Sequence, residues 1–148
     1  MNEATKHAIT YAEKGYYVFP ILPNLKIPYK GFKWKDQSVN DPEKVKAAAA
    51  HKNYKGCNWA LDCGKSNLFV VDIDVRDTVD GRKSYAKLIG EDPNKTFMVK
   101  TPSGGYHAYF KGKGRNSVSA LGPGLDVRSE GGYVLIPGSV NGNGKPYK

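Results

Sequence analysis

Residues Leu68 to Val75 read LFVVDIDV, and no other stretch of the chain constrains the fold as tightly. Its β-branched and aromatic residues favour a strand. Alternate side chains of a strand point to opposite faces. Phe69, Val71, Ile73 and Val75 then share one face, and Val70, Asp72 and Asp74 share the other. One face is wholly apolar, so the strand belongs in the middle of a sheet. Two carboxylates on the other face, about 6.5–7 Å apart between Cα atoms, are costly without a cation between them. Hard oxygen donors suit Mg²⁺ or Mn²⁺. A bare D-x-D also suits a solvent-facing pair at a sheet margin. The apolar opposite face tips the balance towards a metal.

Around this strand the chain mixes helices and strands without strict alternation. Asn2 to Lys14 has alanines at helical spacing and stops at Gly15. Tyr16 to Leu22 is a strand in which Pro20 marks an edge or a bend. Pro23 to Gln37 is irregular and basic. Asp41 caps a helix with Pro42 in its first turn, running to about His51. Asn58 to Asp62, Phe97 to Thr101 and Tyr106 to Lys111 are further strands, and Asp80 to Ile89 is a helix ended by Gly90. Leu125 to Arg128 and Tyr133 to Ile136 read as a hairpin. The expected class is α+β, with a mostly antiparallel sheet and helices on one face.

Three further groups of residues can carry chemistry. Ser103-Gly104-Gly105-Tyr106-His107 is a glycine turn whose backbone N–H groups can approach an anion, with a serine hydroxyl beside them. His107 can reach a phosphate or a leaving group. The same residues would also make an ordinary hairpin turn. Asp126 and Arg128 share a strand face. A third carboxylate would complete a two-metal site, and Arg128 could hold phosphate or pair with a carboxylate. The third group is Lys26, Lys30, Lys33 and Lys35, interleaved with Tyr29, Phe32 and Trp34. That pattern suits stacking on single-stranded nucleic acid, or a solvated loop. The alanines from Ala47 to Ala50 read as structural, and Cys57 and Cys63 as buried thiols.

Composition sets limits on these readings. The 148 residues fit one domain and carry a net charge of +9. A basic surface suits phosphate without requiring it. No stretch approaches the ~18 apolar residues of a membrane span, and the start lacks a signal-peptide layout. Two cysteines exclude a disulfide framework or a four-cysteine zinc site. A reduced, soluble, cytoplasmic domain is expected. Together the motifs suit phosphoryl transfer.

The order D-I-D (Asp72, Asp74), S-G-G-Y-H (Ser103 to His107) and LDVRSEGGYVLIPGS (Leu125 to Ser139) resembles the bifunctional DNA primase/polymerase (prim-pol) domain of the archaeo-eukaryotic primase superfamily. Upstream, P-x-x-K-x-P (Pro23 to Pro28), GFKW (Gly31 to Trp34) and GCNWALDCG (Gly56 to Gly64) extend the likeness over essentially the whole chain. Such domains occur in replication proteins of phages, plasmids and other mobile elements. The resemblance implies an RRM-like catalytic sheet with flanking helices and a small N-terminal αβ unit, forming one catalytic domain over residues 1–148. It implies template-directed nucleotidyl transfer by a two-metal mechanism with Mg²⁺ or Mn²⁺. Its partners would be a single-stranded DNA template, nucleoside triphosphates and a helicase domain or protein. Asp72, Asp74 and Asp126 match the metal carboxylates. Ser103, Gly104, Gly105 and His107 match the nucleotide-phosphate motif. Arg128 lies beside the third carboxylate, and Lys26 matches a recurrent basic position read as a nucleotide or DNA contact. Relatives usually continue past the third motif, so the chain reads as truncated at its C-terminus. Two rival functions are a non-catalytic strand-binding relic in replication initiation and a metal-dependent nuclease.

Overall fold

The computed structural model describes residues 1–90 and 96–148. Helix α1 (Glu3–Glu13) is capped by Asn2, whose side chain accepts from the Thr5 N–H, and it buries Ala4, Ala8, Tyr11 and Ala12 in the core. Strand β1 (Val18–Ile21) follows, then a one-turn helix α2 (Trp34–Gln37) inside the stretch expected to be irregular. Helix α3 (Pro42–Ala50) starts at Asp41, whose carboxylate accepts from the Glu43 N–H, and a 3₁₀ turn spans Lys52–Tyr54. Strands β2 (Asn58–Asp62), β3 (Leu68–Ile73), β4 (Val75–Arg76) and β5 (Val79–Asp80) come next. Helix α4 (Gly81–Ile89) is capped by Asp80 and stops at Gly90. The chain then forms β6 (Phe97–Lys100), β7 (Tyr106–Lys111), β8 (Ser117–Val118), β9 (Leu125–Arg128) and β10 (Tyr133–Leu135).

The fold is α+β. Its main sheet is antiparallel, with strand order β6-β7-β3-β9-β8, so β3 lies in the middle. Its outer neighbours β6 and β8 are antiparallel too. A smaller sheet has the order β1-β2-β10, and β4 and β5 form a two-stranded ribbon. Pro20 sits on the edge strand β1, where a missing N–H is tolerated. One face of the main sheet packs Val71, Ile73, Ala108 and Leu125 against Tyr85 of α4. From the other face, Val70, Val99 and Tyr109 join the larger core made with the small sheet, α1 and α3. Helices therefore flank both layers instead of one face only.

Two expectations are corrected. Residues 125–136 are not a hairpin: β9 pairs with β3 and β8, while β10 pairs with β2. The small unit is thus N-terminal only in part, because β10 completes it. The crossing is set by Ser129, which is fully buried. Its hydroxyl donates to the Leu68 carbonyl (2.9 Å) and accepts from the Gly114 N–H (2.9 Å). Its own N–H donates to Asn116 Oδ1 (2.7 Å). Gly64 lies so close to this passage that an added Cβ would stand 2.6 Å from the Glu130 Cα. Secondly, Phe32 and Trp34 are not free for base stacking. Trp34 lies flat on Phe19 (5.0 Å between centroids) and edge-on to Tyr133 (5.1 Å). Phe32 also stacks on Phe19, and Tyr29 meets Tyr54. Anchoring the loop to the core gains more than leaving large rings in water. The lysines between them stay exposed.

Among the described residues no helix is long and apolar enough to cross a membrane. Cys57 and Cys63 are buried free thiols, and burial pushes the Cys57 thiol up to about 12.

Candidate active site

The pairing register aligns the polar residues of three strands. Asp72 on β3 stands opposite His107 on β7 and opposite Asp126 on β9. Directly opposed residues of antiparallel strands share a face, with Cβ atoms about 4.5–5.5 Å apart. His107, Asp72 and Asp126 therefore form one row at the centre of the main sheet. Arg128 lies two residues along on the same face, opposite Val70. The reverse side of each strand is apolar and seals against α4. Period-two patterning thus turns four chemically active side chains to one face of the sheet, and Asp72, His107 and Arg128 line the same space.

That space is a cleft of about 400 Å³ lined by Lys26, Asp72, His107, Asn116, Arg128, Gly131, Gly132, Tyr133 and Tyr147, among others. A smaller hollow of about 100 Å³ adjoins it, lined by Lys26, Asp72, Asp74, Ser103, His107 and Tyr147. Lys26 reaches the cleft from the loop after β1. Its carbonyl accepts from the Tyr133 hydroxyl (2.7 Å), which ties that loop to β10.

Each carboxylate faces a basic partner. His107 Nε2 lies 3.4 Å from Asp72 Oδ1, and Arg128 Nη2 lies 3.6 Å from Asp126 Oδ2. Asp126 also accepts from the Ser119 N–H (3.1 Å). Asp74 lies just beyond the end of β3 and turns to Arg76 Nε at 3.5 Å. Its backbone is clamped: its N–H donates to the Gly124 carbonyl (2.8 Å), and its carbonyl accepts from the Gly81 N–H (2.7 Å). A Cβ at position 81 would meet the Gly124 oxygen at 2.4 Å, which explains a glycine at the first position of α4.

Burial pushes the Asp72 carboxyl up, but the hydrogen bond and charge of His107 outweigh it, helped by Arg128 and Lys26. The net result is a carboxyl below its usual range, and so an anion. His107 is buried, and its Nδ1 has no hydrogen-bond partner among the described residues. A buried polar atom without a partner is costly in a finished fold and marks a place for a ligand atom. The Tyr147 ring lies 5.8 Å from the His107 ring. Burial and then the Asp72 charge push its phenol up to about 12, so it stays a donor.

The glycine turn has a structural task as well. Gly104 adopts φ +91°, and its N–H donates to the Thr101 carbonyl (3.1 Å). An added Cβ on Gly105 would lie 2.1 Å from the Ile73 oxygen, so the turn packs directly on the end of β3. Ser103 is exposed at the rim of the smaller hollow.

The donor set fits a hard divalent cation at Asp72 and Asp126, which face each other across β3 and β9. Among the described residues no group of three or more His, Cys, Asp and Glu side chains is gathered as a metal cage. Mg²⁺ is usually held by one or two carboxylates plus substrate phosphates, so a pair suffices. Sequence reasoning missed Tyr147, Asn116 and Tyr133. They reach the cleft through the chain's path from β8 to its last residues, for which no local pattern is a signal.

The family model described as bifunctional DNA primase/polymerase, N-terminal, matches residues 8–148. No curated protein matches the chain.

Proposed function

The chain belongs to the bifunctional DNA primase/polymerase family, and from that premise we propose that it is a nucleotidyltransferase extending or starting strands on a single-stranded DNA template. A strand's 3′-hydroxyl, or that of a first nucleotide, attacks the α-phosphorus of a nucleoside triphosphate. The new P–O bond forms as the bond to pyrophosphate breaks. The observation that carries the reading is the row His107–Asp72–Asp126, whose first two members open into a cleft with Arg128 and Lys26 at its walls.

Asp72 and Asp126 would hold Mg²⁺ or Mn²⁺, with Asp74 joining for a second ion, and bound cations would lower the hydroxyl's pKa and neutralise charge on the leaving pyrophosphate. Asp72 orients the His107 ring through Nε2, and with the ring protonated its Nδ1–H would donate to a phosphate oxygen. Arg128 and Lys26 counter the triphosphate charge. Ser103, which the turn at Gly104 and Gly105 follows, borders the smaller hollow and adds a hydroxyl donor. Catalysis by such parts is chiefly positioning and charge. The resemblance to replication proteins of phages and plasmids supports a mobile-element setting and a helicase domain or protein as partner.

The test is nucleotide incorporation on a single-stranded template, with and without a primer, in Mg²⁺ or Mn²⁺. Product should form with the native chain and fall by at least about 10²-fold in Asp72→Ala, whose melting transition should persist. Product from purified Asp72→Ala at close to the native rate would sink the reading. Strand binding without product or metal-dependent protection against unfolding would favour a non-catalytic module. Degradation of DNA without added nucleotide would favour a nuclease.

A further inference from the structure

Beside the cleft lies a second depression, of about 300 Å³, lined by Lys35, Asp62, Gly64, Lys65, Lys113, Glu130 and Gly131. Gly131 lines both spaces, so the depression continues the cleft. Three lysines reach it from three separate parts of the fold. Lys35 comes from α2, Lys65 from the turn after β2, and Lys113 from the loop after β7. Lys35 stands at the junction, with Nζ 3.6 Å from the point a Cβ on Gly131 would occupy.

Two of these ammonium groups are held over aromatic rings, Lys35 over Trp34 (5.5 Å) and Lys65 over Tyr17 (4.8 Å). Such stacking limits the freedom of a long side chain without neutralising it. Among the described residues, no ion pair takes up Lys26, Lys35, Lys65 or Lys113. The nearby acidic groups are Glu130, which is exposed, and Asp62, which is buried. Asp62 spends its oxygens on the Ser38 hydroxyl (2.9 Å) and the Lys65 N–H (3.2 Å), holding two walls of the depression in place. The result is a run of cations leading from Lys26 and the Asp126-paired Arg128 past Gly131 to the unpaired Lys35, Lys113 and Lys65.

We propose that this run is the track of the single-stranded DNA backbone as it leaves the cleft. It rests on the nucleic-acid reading above for its ligand. Spaced cations with few acidic neighbours suit consecutive phosphates, and the depression holds no exposed ring for reading a base.

The test is binding of fluorescent oligo-dT by the full chain across a salt series, beside binding of a nucleoside triphosphate in Mg²⁺. The triple variant Lys35→Ala/Lys65→Ala/Lys113→Ala should bind the oligonucleotide at least about tenfold more weakly. Its salt slope should fall by about 2, the value for three lost single-strand phosphate contacts. Nucleotide affinity should not change, and Glu130→Gln should tighten strand binding. Unchanged strand affinity and slope in the triple variant would overturn the track. So would a loss of nucleotide affinity in step with strand affinity, which would make the depression a triphosphate seat. A native chain that binds the strand through these lysines but makes no product would defeat the catalytic reading and leave the track standing.

Discussion

Asp62 and Asp72 occupy similar positions, and their carboxyls shift in opposite directions. Each lies on the middle strand of its sheet, Asp62 closing β2 and Asp72 within β3. Asp62 is buried, and Asp72 is half-buried at the wall of the cleft. Asp62 is surrounded mainly by neutral donors, the Ser38 hydroxyl and the Lys65 N–H. There burial prevails, and the carboxyl rises above its usual value despite those donors and the charges of Lys65 and Lys35. Asp72 meets the same penalty, but His107, Arg128 and Lys26 overcome it and bring the carboxyl down. Neutral donors give a carboxylate a place in the architecture. Cations across a cleft keep it charged and open to exchange partners with a ligand. The proposed chemistry falls to Asp72, at the centre of the row across β7, β3 and β9, and Asp62 holds a turn.

The largest effect expected from this contrast is on incorporation. Asp72→Ala should lower it by about 10²–10³-fold or more, a range typical of losing one preorganised electrostatic group. Asp62→Ala should leave folded protein active, as a primer-extension assay normalised to folded protein will show. Equal losses in both variants would erase the distinction. In stability the order reverses. Asp62→Ala strands a hydroxyl and an N–H in a buried place and should cost about 1–3 kcal/mol in urea unfolding. Asp72→Ala removes one of two carboxylates that oppose each other across β3 and β9, and should cost less.

The pH dependence should separate the two further. The folded-state carboxyl of Asp72 is lowered, so its stabilising contribution is full above the ordinary carboxylate range and fades as pH falls through the lowered value. Asp72→Asn should therefore differ most from the native chain near neutral pH and converge with it in acid. The Asp62 carboxyl is raised, so its ionisation costs stability as pH rises through that range. Asp62→Asn should gain on the native chain as pH increases. Denaturant midpoints measured from about pH 3 to pH 7 would check both slopes. The smallest change is Ser38→Ala, which removes one donor to Asp62. It should cost about 0.5–1.5 kcal/mol and leave incorporation unaltered.

The central strand was legible because its pattern is strong. Alternation in LFVVDIDV places Asp72 correctly relative to Val71 and Ile73, and the same logic pairs Asp126 with Arg128 on one face. What sequence alone could not supply was partnership between distant strands. Nothing local says that His107 and Asp126 flank Asp72 in register. Tyr133 to Ile136 looks like the return arm of a hairpin, since a serine and two glycines precede it. The competing pull was the buried hydrogen-bonding of Ser129 to Leu68 and Gly114, which carries the chain into the other sheet. The aromatic residues after Pro23 misled for a related reason. Spacing shows that Phe32 and Trp34 alternate with lysines, but not that Phe19 waits beneath them. Asp74 lies just past the end of β3, yet it lines the smaller hollow with Asp72 while standing 3.5 Å from Arg76.

The passage from β9 to β10 also bears on how such a chain can tolerate change in length. Residues 129–132 are fastened at Ser129, pressed against Gly64, and closed by the Cys63 N–H on the Gly132 carbonyl (3.1 Å). One extra residue inserted there would slide β10 by a single step along β2. A slip of one step exchanges the inner and outer faces of a strand, so Val134 would leave the core and the neighbouring Tyr133 would turn away from Lys26. By contrast, an insertion among the exposed residues 142–145 would meet little but water. Lineages of this domain should therefore vary in length there and keep the count between Ser129 and Tyr133 unchanged.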